Sequence, residues 1–280
     1  MGWRLQIRHS SGFRYEGTVR SSYNEVRLTP LTLATQTTLE SRVEVHPATP
    51  TSGYWDYWGT RVTYFDLQEP HTQLEVVGTS VVETMPPRPA RPSASWDDLA
   101  DPRILDRYVD MLGATPRTAI GGRLAETARG LVRRTDPHAG AQAIAGWVRD
   151  TVAYVPGSTG VQTSAQEAYL QRSGVCQDIA HLTVGMLRSV GIPARYVSGY
   201  LHPVREAEVG ESSAGQSHAW VEWWVGEWAG FDPTNGLPAG EHHVVVARGR
   251  DYADVAPLKG IYHGPASTLL GVEVEVIRLA

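Results

Sequence analysis

The chain has 280 residues, a formal net charge of −5 and a single cysteine, Cys176. Hydrophobic residues make up 41% of the sequence and charged residues 20%, which is typical of a globular chain that buries a core. The acidic balance gives no sign of the basic patch that binds nucleic acid, so we expect no nucleic-acid partner. One cysteine excludes an internal disulfide.

Hydrophobicity patterns and the single cysteine also indicate the cellular compartment. The sequence has no run of about 18 apolar residues, so we expect no membrane span and no membrane partner. The N-terminal stretch MGWRLQIRHSSG is polar and alternating, and it lacks the apolar core of a secretory signal. A thiol that cannot form a disulfide within the chain suits a reducing compartment. We therefore expect a cytoplasmic protein.

Short strand-like runs separated by turn clusters occupy the first 85 residues. They cover residues 3–9, Tyr23–Leu28, Thr38–Val45, Gly59–Phe65 and Thr72–Val82. This spacing predicts a β-rich, sandwich-like domain over residues 1–85. The proline-rich stretch MPPRPARPSAS follows, and it predicts a stiff linker over residues 86–95.

Helical patterns come next, and strands return after them. Helices are predicted to begin near Asp101 and to cover residues 122–134, 139–152, 163–171 and 176–190, the last ending before Gly191. Strands are predicted over residues 194–201, 218–225, 227–231 and in the tail. Helices followed by strands predict an α+β unit over residues 96–280.

The run GVCQDIAHL places Cys176 at the predicted start of a helix. Gly174 allows a tight approach of the chain, and Ser173 could cap the helix. Free backbone N–H groups at a helix N-terminus stabilise a thiolate and can also hold an oxyanion. The pattern therefore fits an activated nucleophile, although a lone cysteine is more often an inert core residue.

A thiol nucleophile needs a base, and the base needs a group that orients it. His218 opens the predicted strand HAWVEWWV, and Asp232 follows fourteen residues later in GFDPTNG. If the two strands are antiparallel neighbours, these side chains lie close together. Asp232 could equally be a turn residue that caps its own loop. His181 lies on a different helix face from Cys176, and Asp178 suits the first helical turn.

Three motifs in order carry a family resemblance. The runs GVCQDIAHLTVGMLRSVGIPARYVSGYL, SHAWVEWW and WAGFDPTNG resemble the bacterial transglutaminase-like superfamily. The N-terminal strands resemble the β-rich domain that precedes the core in many members, and the tail GRDYADVAPLKGIYHG also resembles theirs. The resemblance implies a papain-like core of helices packed on an antiparallel sheet. It implies that Cys176 is the nucleophile, that His218 is the general base and then acid, and that Asp232 orients His218.

The implied reaction is acyl transfer through a thioester on Cys176, with a peptide or protein as substrate and no cofactor. Either hydrolysis or transamidation is compatible with the motifs. Further candidates for binding substrate or an oxyanion are Gln171, Tyr154 and Trp220. The oligomeric state cannot be predicted from these patterns.

Two other interpretations compete with an enzyme. Cys176, His181, His218 and Asp232 could be written as metal ligands, but paired spacings such as CxxC or HxxxH are missing around them, and we expect no metal. The second alternative is a catalytically inactive binding scaffold that keeps the fold.

Overall fold

The computed structural model describes residues 2–86, 91–204 and 206–280. It contains two antiparallel sheets, one short parallel strand pair and a group of helices. The predicted α+β class is confirmed. Of the predicted linker over residues 86–95, residues 87–90 lie outside the described part of the chain.

Within the described residues, six strands form the N-terminal part, five of them at the predicted runs and β4 in addition. They are β1 (Arg4–Val19), β2 (Ser21–Val26), β3 (Gln36–His46), β4 (Ser52–Trp55), β5 (Arg61–Leu67) and β6 (His71–Thr84). Strands β1, β3 and β6 belong to one sheet, and β2, β4 and β5 belong to a second. Side chains from both sheets share one apolar core, which includes Tyr15, Val26, Phe65 and Leu74.

The helices follow the N-terminal strands. They are α1 (Trp96–Leu99), α2 (Pro102–Arg107), a 3₁₀ turn (Val109–Met111), α3 (Gly122–Val132), α4 (Pro137–Thr151), α5 (Ala165–Gln171), α6 (Cys176–Ser189) and, near the C-terminus, α7 (Tyr252–Val255). Asp136 begins α4, because its side chain accepts the N–H of Ala139 at 2.9 Å. No helix in the described ranges is both long enough and apolar enough to cross a bilayer.

Helix α6 is the centre of the second part. Every residue from Gln177 to Arg188 is buried, and the helix contacts α3, α4, α5 and two strands of the sheet. Its polar side chains bond to backbone, as burial requires. Nε2 of His181 accepts the N–H of Tyr252 at 3.1 Å, and Arg188 donates to the carbonyl of Ala194. Packing on all sides therefore fixes the end of the helix at which Cys176 lies.

The remaining strands come after the first helices. They are β7 (Ala153–Tyr154), β8 (Ser173–Gly174), β9 (Ala194–Leu201), β10 (Ser212–Trp224), β11 (Trp228–Asp232), β12 (Leu237–Pro238), β13 (His243–Gly249), β14 (Leu258–His263) and β15 (Ser267–Arg278). Strands β13, β9, β10, β11 and β12 lie side by side in that order. The predicted helices pack on this antiparallel sheet.

The two tail strands pair with N-terminal strands. Strand β14 pairs with β2, and β15 lies between β1 and the first residues of β10. These strands were predicted within the unit 96–280, and the observed pairing differs because partners so far apart in sequence leave no local pattern. One continuous sheet of nine strands results. The ranges 1–85, 86–95 and 96–280 stay a prediction, and strand pairing crosses them.

Candidate active site

Cys176 is the first residue of α6, as predicted, and its side chain is partly buried. The predicted cap is wrong, because Ser173 lies in β8 and Val175 precedes the helix. The side chain of Asp178 makes the hydrogen bond at the start of the helix instead. Its Oδ2 accepts the N–H of Val175 at 2.8 Å and the hydroxyl of Thr159 at 2.5 Å. Burial raises the pKa of the Asp178 carboxyl, despite these bonds. Asp178 therefore orders the start of the helix and the loop beside it.

The short parallel pair β7–β8 brings an upstream residue to the same place. Tyr154 pairs with Gly174, two residues before Cys176, and the N–H of Val155 donates to the carbonyl of Gly174 at 2.9 Å. Burial and the charge of Cys176 both raise the pKa of the Tyr154 hydroxyl. Tyr154 thus lies within electrostatic range of the thiol. Gln171 is exposed at the end of α5, and among the described contacts none joins it to Cys176 or His218.

The hairpin of β10 and β11 brings His218 and Asp232 together. Its turn contains Gly226, which has a positive φ of 99°, and the strands then pair from Trp224–Trp228 to Val221–Phe231. This register places Asp232 opposite Trp220, so His218 is its diagonal neighbour. Nε2 of His218 lies 2.8 Å from Oδ2 of Asp232.

The same imidazole interacts electrostatically with Cys176. Burial alone would lower the pKa of His218, but hydrogen bonds to Asp232 and Cys176, together with their charges, raise it to about 10. Since Nε2 is bonded to Asp232, Nδ1 is the ring nitrogen available to the thiol. The structure therefore brings together all three residues of the predicted triad, with His218 in the middle.

Asp232 is fully buried and accepts hydrogen bonds from five N–H donors. Oδ1 accepts the backbone N–H groups of Thr234 and Asn235 at 3.0 and 3.1 Å. Oδ2 accepts from His218 at 2.8 Å, from the Asn235 side chain at 2.7 Å and from Nε2 of His243 at 3.2 Å. Burial would raise the pKa of this carboxyl, but these donors hold it far below its usual range. One oxygen caps the turn and the other contacts the histidines, so the geometry of Asp232 is compatible with both sequence interpretations.

His243 was not among the predicted site residues. It is the first residue of β13, and its ring is buried. The available signal was its position, because His243 begins the strand HVVVARG just as His218 begins the run HAWVEWWV. Strand β9 lies between β13 and β10, and sequence separation gives no indication of that order.

Trp220, a candidate for binding substrate, is fully buried. Its ring stacks on His218 with centroids 6.1 Å apart and meets the ring of His243 edge-on at 5.2 Å. Gly199 on β9 makes this possible, because a Cβ there would lie 2.7 Å from the Trp220 ring and 1.9 Å from the Val244 carbonyl oxygen. Trp220 therefore packs against both histidines, and it also contributes to the wall of the neighbouring cavity.

A cavity of about 840 Å³ adjoins the Asp232 side of the site. Asp232, His243 and Trp220 contribute to its wall, whereas Cys176 does not. Glu222 also lines it and lies between two arginines, accepting from Arg195 at 2.6 Å and from Arg248 at 2.8 Å. The cavity lies away from the thiol, so we do not assign it to the acyl group of a substrate.

The ligand set considered for a metal is not assembled, because His181 bonds to the backbone at Tyr252. Within the described ranges, His218, Asp232 and His243 form a cluster of residues that could hold a metal ion. One ligand atom from each of them lies within 4.8 Å of the other two. The hydrogen bonds to Asp232 already account for this spacing. The geometry of this cluster is therefore that of an ionised carboxylate hydrogen-bonded to two histidines.

Comparisons with known proteins match two family models to the chain. Residues 125–233 match the transglutaminase-like superfamily, and residues 5–83 match the bacterial transglutaminase-like N-terminal region. The uncharacterized protein ML0607 of Mycobacterium leprae is 47% identical over 278 residues, which cover 99% of this chain and all of that protein. A protein-glutamine gamma-glutamyltransferase of Pseudomonas aeruginosa is 36% identical over 85 residues, covering 28% of this chain and 12% of that protein.

A crystal structure of a proposed cysteine protease from Cytophaga hutchinsonii has the same fold. It superposes with a TM-score of 0.79 at 24% identity, covering all of this chain and 92% of that one. The N-terminal strands, the helical core and the sheet that carries His218 and Asp232 thus occur together in a known architecture. The predicted resemblance is confirmed, and the chain belongs to the transglutaminase-like superfamily.

Proposed function

We propose that this protein is a cysteine enzyme that transfers acyl groups from amides through a thioester on Cys176. The observation that carries the proposal is the position of His218, whose Nε2 lies 2.8 Å from Oδ2 of Asp232 and whose pKa is raised by both Asp232 and Cys176. Nucleophile, base and orienting group in this order are the arrangement that activates a thiol in acyl transfer.

The chemistry follows from the placement of one proton. With a pKa of about 10, His218 is protonated at neutral pH, so its imidazolium can stabilise negative charge on the sulfur of Cys176. The sulfur attacks the amide carbonyl, and an S–C bond forms. The imidazolium then gives its Nδ1 proton to the leaving nitrogen, the C–N bond breaks, and ammonia or an amine departs. Neutral His218 next takes a proton from an amine or from water, which attacks the thioester and releases Cys176.

The negative charge that develops on the carbonyl oxygen needs hydrogen-bond donors. The N–H of Cys176 belongs to the first turn of α6, where N–H groups have no acceptor within the helix. We assign the second donor to the hydroxyl of Tyr154, which β7 holds beside the residues before the helix. Gln171 is not part of this proposal, because it lies exposed at the end of α5.

The substrate class is a peptide or protein that carries a glutamine side chain or another accessible amide. The name of the Pseudomonas aeruginosa relative supports the glutamine amide. Ammonia release from a glutamine-containing peptide, with and without a primary amine, tests the proposal and separates hydrolysis from transamidation. We expect ammonia in both conditions, an amine adduct if transamidation occurs, and neither product with Cys176→Ala. Activity retained by Cys176→Ala would refute the role of the thiol.

The alternative, an inactive scaffold, makes a different prediction for the thiol. Iodoacetamide should alkylate Cys176 rapidly at pH 6.5, where an unperturbed thiol, with a pKa of about 8.5, reacts slowly. His218→Ala should remove most of this reactivity. An ordinary thiol profile would favour the scaffold, and one zinc ion per chain by elemental analysis would contradict thiol catalysis.

A further inference from the structure

Asp232 contacts two histidines, and the proposed reaction employs one of them. We propose that His243 is a positioning residue, which donates its Nε2–H to Asp232 and so holds the carboxylate in the orientation that His218 requires. The inference rests on the proposed function, because it concerns the same thiol and imidazole.

The hydrogen bonds of His243 determine which of its ring nitrogens carries the proton. Nδ1 accepts the backbone N–H of Gly240 at 3.2 Å, so in the neutral ring the hydrogen is on Nε2. Nε2 lies 3.2 Å from Oδ2 of Asp232. The N–H of His243 also donates to the carbonyl of Gly240 at 2.9 Å, which closes the turn before β13. The backbone therefore directs the Nε2–H at the carboxylate.

Packing prevents the ring from turning away. The His243 side chain is 2% exposed, and the buried ring of Trp220 meets it edge-on at 5.2 Å. Trp220 also stacks on His218, so a single indole fixes both histidines relative to Asp232. Such a shell of packed rings keeps the supporting donor in a single orientation.

The two imidazoles differ in their charge at neutral pH. Burial lowers the pKa of His243, and the nearby charge of His218 lowers it further against the opposing effect of Asp232. His243 is therefore neutral when His218 is charged. It contributes a hydrogen bond to Asp232 without competing for the proton that the reaction transfers.

A histidine with a purely structural role would make the same turn. The test therefore has to distinguish the loss of the hydrogen-bond donor from the loss of the side-chain volume. The amide nitrogen of glutamine can occupy roughly the place of Nε2, whereas leucine fills the space without a donor. We compare His243→Gln and His243→Leu with the parent, measuring the rate of iodoacetamide alkylation of Cys176 at pH 6.5. Thermal unfolding establishes that each variant is folded.

We expect His243→Leu to lose about 10- to 100-fold in alkylation rate, which is the usual effect of removing a supporting hydrogen-bond partner in metal sites. His243→Gln should recover at least a third of the parent rate. The matched control is His9→Leu, because His9 is also buried and its ring nitrogens have no described hydrogen-bond partner. That variant should react like the parent.

Each outcome decides between the hypotheses. A folded His243→Leu variant with the parent rate overturns the inference, and so does a folded His243→Gln variant that reacts as slowly as His243→Leu. If His243→Leu does not fold, His243→Asn replaces it, because the shorter amide cannot reach Asp232. A parent whose Cys176 reacts like a free thiol, unchanged by His218→Ala, refutes the proposed function and the inference together.

Discussion

Replacing Asp232 by asparagine tests the centre of the site with the smallest change of shape. The carboxylate accepts from five N–H groups, two at Oδ1 and three at Oδ2. An amide offers one acceptor oxygen and one NH₂ group that can only donate. If NH₂ replaces Oδ1, it meets the N–H groups of Thr234 and Asn235. If it replaces Oδ2, it meets both histidines and the Asn235 side chain.

The magnitude follows from the less costly of these orientations. At least two buried N–H groups lose a charged acceptor, and each such hydrogen bond contributes about 1.5–3 kcal/mol. Asp232→Asn should therefore lower the free energy of unfolding by about 3–6 kcal/mol, a large share of the 5–15 kcal/mol typical of folded domains. The pKa of His218 should also fall, because Asp232 contributes to its raised value through a hydrogen bond and a charge.

Urea unfolding followed by tryptophan fluorescence measures the first effect, since the chain has nine tryptophans. Iodoacetamide alkylation of Cys176 at pH 6.5 measures the second, and we expect a clear decrease. The matched control is Asp106→Asn on the exposed side of α2, which should change stability by less than about 0.5 kcal/mol. An Asp232→Asn variant with the stability and alkylation rate of the parent would refute the hydrogen-bond assignment.

Three further predictions concern pH, backbone space and buried charge. His218 has a raised pKa in the folded state, so its stabilising contribution is complete below pH 6.5 and is lost as the pH rises towards about 10; urea titrations across this range should show the slope, and His218→Gln should flatten it. Gly185→Ala should lower the melting temperature, because its Cβ would lie 2.2 Å from the Thr118 carbonyl oxygen. The Cβ of Gly146→Ala in α4 meets open space, so this variant should raise the free energy of unfolding by about 0.5–1 kcal/mol. Equal melting temperatures for the two variants would contradict the packing. Glu222→Gln should lower the free energy of unfolding by about 3–5 kcal/mol, because it leaves Arg195 and Arg248 without their shared anion. Unchanged urea unfolding would contradict these ion pairs.

The triad was predictable because each of its parts has a local signal. Cys176 follows Gly174 and begins an apolar run of helical length, and the helix was found at that residue. His218 and Asp232 belong to one hairpin, so a short turn at Gly226 determines which residues meet. Hairpin register depends on nearby residues, and sequence patterns describe nearby residues well.

Features set by distant chain segments could not be predicted in the same way. His243 reaches Asp232 across β9, which requires the strand order of the whole sheet. Strand β15 pairs with β1, although their alternating patterns would suit many partners. The helix cap was wrong for a different reason, because Ser173 and Asp178 are both good capping residues and the path of β8 decides between them.

The two oxygens of Asp232 have different partners, and this affects how the enzyme and scaffold hypotheses can be distinguished. Oδ1 closes the turn after β11, so this carboxylate would stabilise the fold of a chain without catalytic activity as well. The presence of Asp232 is therefore expected under both hypotheses. The thiol of Cys176 differs, because it is only partly buried at the start of α6 and Asp178, not the thiol, orders that helix end. Serine or alanine could occupy position 176 in a scaffold at little cost in stability, whereas acyl transfer requires the sulfur. A Cys176→Ala variant that stays folded and completely loses the ammonia release of the parent is therefore the result that an enzyme predicts and a scaffold does not.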